Sequence, residues 1–432
     1  MRHLINRIPL FSGASGQVFR GMAMLSSGMI AGRIIGLVAI PILTRIYDPS
    51  DFGAMAVYTA LVTLLAPFMA LRFPVAIPLP KSDQLAVSLV ALSIVLTFVT
   101  GMIVTIVLWL AAPRLLPTIS MEALIPYWWI VALGAVGSAF YDIFTNWATR
   151  RKNYKLVART SVMQSFSGSA VKVALGFIWA GPLGLLLGQI LSLGGGSGSI
   201  LLHYRKEFAR LGHRLRMFKA AVLYQSFALY RLPAQALLAA ATQAPVLLIA
   251  WQYDANLVGQ FGLATTLIAV PTALLINGLS KAFYAEVAAL GLRRIDQVRE
   301  ITFHTMKRLA LIGLPVAGFL FFFGQEVSMI AFGDRWSQAG RFAEILAIYL
   351  FAGFVSAPVM RLLDLLREQW LLLLINALRL VIVLVVFALL PQRGLDLFDT
   401  VLVYALAMFA HQGISGWLVL HRLKARAGPR TA

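Results

Sequence analysis

The chain has 432 residues, is 60% hydrophobic and carries a formal net charge of +20. Its mean hydropathy of +0.82 excludes an ordinary soluble domain, which is nearer 45–50% apolar. Cysteine is absent, which rules out disulfides, zinc–thiolate sites, iron–sulfur clusters and cysteine nucleophiles.

The apolar residues lie in continuous runs, and a membrane span needs about 20 of them to cross roughly 30 Å of hydrocarbon. In chain order, spans are expected at about 22–45, 53–78, 85–112, 123–149, 157–180, 183–203, 223–250, 257–280, 307–332, 341–363, 370–390 and 398–420. Continuous runs of this length exclude a β-barrel, whose strands alternate over about 10 residues. The expected fold class is therefore all-α and polytopic, with about 12 transmembrane helices. No small-residue cleavage site follows a short apolar core near the start, so the first span is read as retained.

A charge of +20 can signal nucleic acid, but its placement argues otherwise. The odd-numbered turns hold only Arg45, Arg114, Arg335, Arg341 and Arg393 as bases. Most of the others crowd the N-terminus, the even-numbered turns and the C-terminus. That bias places both termini in the cytoplasm. Clusters such as Arg150-Arg151-Lys152, and those within residues 205–219 and 293–308, then read mainly as topology signals.

The longest basic linker, 205–222, falls at the midpoint between six spans and six spans. Its apolar residues Phe208, Leu211, Leu215 and Phe218, spaced by three and four, point to a helix on the inner leaflet. Residues 1–204 form an expected N-terminal six-helix lobe, and 223–432 a C-terminal one. The halves share a signature: Pro41 with Tyr47-Asp48 and Gly53, and Pro245 with Tyr253-Asp254 and Gly259, each in the first outer turn of its half. Equal topological position points to a duplication. Two repeats of the same orientation imply two bundles around a central cleft with a site near the midplane, as in an alternating-access transporter.

Several bases fall inside the expected spans: Arg33, Arg72, Lys172, Arg231 and Arg379. On insertion scales each costs about 2.5–3.5 kcal/mol at the helix centre. Arg33 shares a face with Ser26, Met29 and Gly36. Arg231 lies on a stripe with Tyr224, Gln235 and Thr242. Asn376 precedes Arg379 by three. Lys172 extends the stripe Ser161, Ser165, Ser169 and Gly176, the most regular polar face in the chain. Such bases either line a path for an anionic passenger, pair with a buried acid, or snorkel to an interface, which Arg72 near its span end is placed to do. Asp142, with Asn146 and Arg150 below it, is the clearest intramembrane acid. It reads either as a proton- or sodium-coupling site or as the partner of a neighbouring Arg. One or two acids cannot neutralise all these bases. Gly194-Gly195-Gly196-Ser197-Gly198 within span six serves either close helix packing or bending.

Two runs carry a family resemblance. Ile40-Pro41-Ile42-Leu43-Thr44-Arg45-Ile46-Tyr47-Asp48-Pro49-Ser50-Asp51-Phe52-Gly53 is followed by Leu71-Arg72-Phe73-Pro74-Val75-Ala76-Ile77-Pro78-Leu79-Pro80. Together they resemble the O-antigen and exopolysaccharide lipid-linked oligosaccharide flippases of the multidrug/oligosaccharidyl-lipid/polysaccharide exporter superfamily. The match covers residues 20–95; beyond it the agreement is in span number and layout. The resemblance implies a V-shaped cleft between two six-helix bundles in the bacterial inner membrane. It implies undecaprenyl-pyrophosphate-linked oligosaccharide as substrate, moved to the outer leaflet, with a polysaccharide polymerase and glycosyltransferases as further partners. It also implies a cationic cleft with bases from the first, second and seventh spans. Arg72 sits in a matching motif, and Arg33 and Arg231 occupy comparable spans.

No Gly-x-x-x-x-Gly-Lys-Ser/Thr run is present, so ATP hydrolysis by this chain is not expected, nor is any cofactor or metal site. Two rivals remain. A multidrug or cation antiporter of the same superfamily would need an acid-rich cleft for cationic passengers. A membrane polymerase or ligase would need a sizeable outer loop with convergent catalytic groups, and the outer loops here are short.

Overall fold

The computed structural model describes residues 13–426, apart from 180, 273–279, 281–282, 284–285, 288–289, 292–293 and 367. The end of the expected eighth span, and Arg293 of the basic cluster, lie outside the described residues. The chain forms two compact units, Met1–Ala236 and Leu237–Ala432. Among the described residues, ten helices are long and apolar enough to cross a membrane. They agree with ten of the expected spans.

Unit 1 contains α1 (Gly13–Ile46), α2 (Pro49–Met69), α3 (Asp83–Thr118), α4 (Trp128–Arg150), α5 (Tyr154–Gly176), α6 (Leu183–Gly194), α7 (Ser197–Leu211) and α8 (Met217–Leu223). Then α9 (Leu232–Gln252) crosses the boundary into unit 2, which holds α10 (Ala255–Pro271), α11 (Ile295–Phe332), α12 (Ser337–Leu366), α13 (Gln369–Leu389) and α14 (Leu397–Arg426). The two remaining expected spans are α5 and α10. The first is membrane-length but interrupted by its polar stripe, and the second is a shorter apolar helix.

The duplication is visible in backbone and packing. Asp48 precedes α2 with φ −79° and ψ 158°; Asp254 precedes α10 with φ −76° and ψ 163°. The Asp254 carboxylate accepts from the Leu257 amide at 2.8 Å, while the Asp51 carboxylate accepts from the Asp48 amide at 3.3 Å. Both arrangements satisfy amides that a helix start leaves open. Within unit 1, α4 packs on α2, α3 and α6; within unit 2, α12 packs on α10, α11 and α14. The fourth helix of each half is thus its hub.

Small residues set the closest approaches. A Cβ on Gly28 would meet Ala158 on α5 at 2.5 Å, and one on Gly194 would meet the Gly137 backbone on α4 at 2.8 Å. Such contact is how helices associate where no hydrophobic gradient drives them together. The glycine run serves close packing through Gly194, and it also separates two helices, since α6 ends at Gly194 and α7 begins at Ser197.

Three local expectations are corrected. First, the second span does not run to residue 78. Helix α2 stops at Met69, Leu71 and Arg72 take positive φ of 49° and 61°, and a 3-10 turn follows at Phe73–Ala76. Pro74 disfavours α geometry at Phe73 and supplies no amide of its own, so the helix cannot continue there. The freed Met69 carbonyl accepts from the Thr100 hydroxyl of α3 at 2.5 Å.

Second, the basic linker is not one surface helix. Its first part extends α7, whose Phe208 and Leu211 pack on the core around Trp147. After a break, α8 lies on α3 with Ala220 buried and Phe218 84% exposed. The Gln84 amide group donates to the Leu211 carbonyl at 3.0 Å, and the Arg216 amide donates to the Ser88 hydroxyl at 2.9 Å, so the break is pinned to α3.

Third, Arg150 and Arg151 do more than mark topology. Arg150 holds Asp83 at 2.7 Å and donates to the Pro80 carbonyl at 2.5 Å. Arg151 reaches the other Asp83 oxygen at 3.0 Å, pairs with Glu207 and lies over the Trp147 ring. Burial alone opposes the Arg151 charge, but the carboxylates of Asp83 and Glu207 outweigh it and hold its pKa above the usual value. This network ties the start of α3 and the Pro78–Pro80 segment to α4 and α7. Replacing Asp83 by Ala leaves the largely buried Arg150 guanidinium without its acid. The expected loss is about 1–3 kcal/mol, below the fully buried case because Asp83 is partly solvated. Thermal unfolding of the solubilised protein measures it, and an unchanged midpoint would refute the role of this network.

Candidate functional site

The interior bases fall into four environments. In unit 1, the unwound turn after α2 presents Arg72 to α4. Its Nη1 lies 3.9 Å from the Asp142 carboxylate, with the side chains 25% and 43% exposed. That separation is a loose ion pair with room for solvent. Asp142 is oriented from the other side by Asn146, whose amide group donates to its carboxylate at 3.0 Å and to its backbone carbonyl at 2.8 Å. Arg72 Nε is buried without a partner. A left-handed conformation at a non-glycine residue costs on the order of 1–3 kcal/mol and is kept where surrounding structure demands it. Here the demand comes from Phe73, Ala76 and Ile77, which enter the unit 1 core.

A second irregular turn lies against the first. Residues Phe227–Arg231 form a π-helical turn just before α9, and it touches Phe73–Ala76. The Leu232 amide bonds back to the Phe227 carbonyl, five residues earlier. Insertions of this kind are frequent at functional sites. The wider turn breaks the helical register between Tyr224 and the later members of the expected stripe, Arg231, Gln235 and Thr242. It leaves the Arg231 side chain exposed, with its guanidinium 5.5 Å from the Phe227 ring centroid. Arg72 and Arg231, read separately from two distant spans, are therefore carried by touching turns of one unit.

Arg33 is exposed on α1, away from the glycine face that packs α5, and Gly36 one turn on borders open space. No acid pairs with it among the described residues. Lys172 differs. It is only 9% exposed, and its ammonium donates to the Gln189 side-chain oxygen at 2.6 Å. The stripe that marked it is a packing seam. Ser161 and Ser165 face Gly32 of α1, a Cβ on Gly188 of α6 would meet the Lys172 stem, and the Tyr47 hydroxyl donates to the Lys172 carbonyl at 2.7 Å. Helix α5 is clamped between α1 and α6, which needs small residues at the spacing a polar lining would also show.

In unit 2, Arg379 sits at the centre of α13 and donates to the Tyr349 hydroxyl of α12 at 2.9 Å. It also contacts the Tyr404 hydroxyl of α14. One turn below, His411 Nε2 lies 3.0 Å from the Ile375 carbonyl. These aromatic partners went unread in the sequence, because they come from other helices and their spacing follows no local period. The Arg72 turn was legible in principle, since Pro74, Pro78 and Pro80 punctuate an otherwise apolar run. Among the described residues there is no cluster of three or more His, Cys, Asp or Glu able to hold a metal ion.

The loose Arg72–Asp142 pair should contribute little to folding. A double-mutant cycle with Arg72→Gln and Asp142→Asn, read by thermal unfolding, should return a coupling of about 1 kcal/mol or less. A coupling several times larger would make the pair a structural lock.

Comparison with known proteins places this architecture. The family described as polysaccharide biosynthesis protein matches residues 42–341. An inward-facing multidrug resistance MATE family transporter of the MOP superfamily is similar in structure, with a TM-score of 0.64 and 16% identity over 100% of this chain and 99% of the other. A point mutant of the Vibrio cholerae MATE transporter VcmN gives a TM-score of 0.62 and 16% identity over 95% and 97%. A MOP superfamily transporter from Pyrococcus furiosus Vc1, for which the reverse polarity of the binding pocket suggests a different function, gives 0.59 and 14% over 95% and 96%. At these identities the likeness establishes a shared fold. No curated protein sequence matches the chain.

Proposed function

The chain belongs to the polysaccharide biosynthesis protein family, and from that premise we propose that it is a flippase for undecaprenyl-pyrophosphate-linked oligosaccharide repeat units. It is a multi-pass membrane protein with the fold of MOP superfamily transporters. In this reading it resides in the bacterial inner membrane with both termini in the cytoplasm. It carries the lipid-linked unit to the outer leaflet for O-antigen or exopolysaccharide synthesis, without covalent chemistry. Polymerase and glycosyltransferases act on either side of that step.

The observation that supports this reading most is the imbalance of interior charge. Arg33 and Arg231 are exposed within the bundle helices and have no acid among the described residues, and Arg379 is met by phenols. Among the described residues only Arg72 of these bases has a carboxylate nearby, and that one is loosely held. A path with surplus guanidinium suits an anionic headgroup, since Arg binds phosphate oxygens in a bidentate fork. A cationic drug would need the opposite polarity. The MOP transporter described by its reversed pocket polarity offers a precedent for such a difference within one fold.

Arg72 and Arg231, on touching turns, are proposed to hold the pyrophosphate, with Arg33 joining them as the headgroup advances. The two six-helix lobes, joined by the basic linker 205–222, alternate in exposing this path, and the polyprenyl chain stays in lipid. Outward movement of two negative charges is favoured by about 4.6 kcal/mol at 100 mV, from roughly 2.3 per charge. Lys172 is assigned to packing between α5 and α6. Asp142 serves as the counterion of Arg72 in the empty protein.

Reconstituted in liposomes with a fluorescent undecaprenyl-pyrophosphate oligosaccharide, the protein should show flipping that falls at least tenfold in Arg72→Ala and in Arg231→Ala. Full transport in both variants at equal protein level would defeat the assignment. Exchange of a cationic dye for protons or sodium, with no movement of lipid-linked sugar, would show a multidrug antiporter instead.

A further inference from the structure

The surroundings of Arg379 contain donors without acceptors. The guanidinium donates through Nη2 to the Tyr349 oxygen at 2.9 Å and contacts the Tyr404 oxygen. Each phenol oxygen used in this way still carries its own proton, and no acceptor for either proton is found among the described residues. Arg379 Nε–H is also buried without a partner. Two hydroxyl protons, one guanidinium proton and a full positive charge thus meet no counter-group.

Two acids on or beside these helices are engaged elsewhere. The Glu344 carboxylate accepts from the Gln325 amide at 2.8 Å, and Glu368 lies 4.0 Å from Arg422. His411 does not supply a negative charge. Its Nε2 faces the Ile375 carbonyl, so that nitrogen carries the proton, and Nδ1 is buried without a partner. Tyr404 is itself buried and packed against the Phe387 ring.

Buried polar groups are normally satisfied, and a buried cation is normally paired. An excess of donors around a cation is complemented by an anion. We propose that Arg379, Tyr349 and Tyr404 form a binding site in unit 2 for a small monovalent anion of the chloride class. The anion accepts from Arg379 Nε and from the two phenol hydroxyls. The site lies within one unit, on α12, α13 and α14, and does not depend on the identity of the transported molecule. A halide fits the donor set because it has no preferred geometry and needs no donor in return. The ring contacts of Tyr349 and Tyr404, with centroids 6.3 Å apart, leave the two hydroxyls converging on one guanidinium.

The test is thermal unfolding of the full-length purified protein in detergent, at constant ionic strength, with gluconate replaced stepwise by chloride or bromide. A ligand that binds only the folded state raises the midpoint in a saturable way. Wild type should gain several degrees with saturation in the millimolar range. Arg379→Met should lose the gain completely, and Tyr404→Phe should shift the half-saturating chloride concentration at least fivefold upward. Should Arg379→Met fold poorly, Tyr349→Phe provides the same reading with the charge retained. Identical melting of wild type in chloride and gluconate overturns the proposal. So does a halide gain that persists undiminished in the folded Arg379 and tyrosine variants. A gain produced by inorganic pyrophosphate and not by halide also overturns it, by assigning Arg379 to the headgroup path.

Discussion

A positive charge inside a membrane-spanning bundle must be compensated, and this chain contains more interior bases than acids to compensate them. The rest of the structure is arranged around that deficit. At one set of helix ends, Asp83 and Glu207 take up Arg150 and Arg151 and knit four segments of unit 1 together. Deeper in, one base is sealed against a neutral amide, one is set among phenols, one is held at arm's length by a single carboxylate, and two are left exposed. Arg150 and Arg151 hold the fold through acids, Lys172 holds it through packing, and Arg33 and Arg231 are left exposed.

The irregular backbone belongs to the same logic. A regular helix presents side chains at fixed angles, whereas the turn at Leu71-Arg72 and the π-helical turn at Phe227–Arg231 re-aim two of them. Non-helical backbone at this depth is tolerated only if its polar groups find partners within the protein. Thr100 supplies one by donating its hydroxyl to the Met69 carbonyl. The strain of a left-handed arginine is then maintained by the core packing of Phe73 and Ile77 behind it.

Much of the fold was legible because apolar continuity over a span length is a long, redundant signal. The run of spans and the paired Tyr-Asp turns needed no tertiary information, and Asp48 and Asp254 adopt nearly the same dihedrals. Side-chain environments were less legible. The stripe from Ser161 to Gly176 has the period of a polar lining, but small residues at that period also permit close packing, and the second use prevails in α5. A π-helical insertion moves every later residue by one position, so the stripe drawn through Arg231 loses Tyr224, which lies before the turn. Tyr349, Tyr404 and Gln189 were invisible because pairing across helices leaves no trace in local spacing.

The central claim is that the interior recognises an anionic headgroup. It is tested most directly by equilibrium binding to the purified wild-type protein, comparing undecaprenyl pyrophosphate with a lipophilic cation of similar size. The account predicts saturable binding of the pyrophosphate lipid at least a hundredfold tighter than the cation, weakening as salt is raised. Tighter binding of the cation, or binding of the lipid that is indifferent to its phosphates, would contradict it.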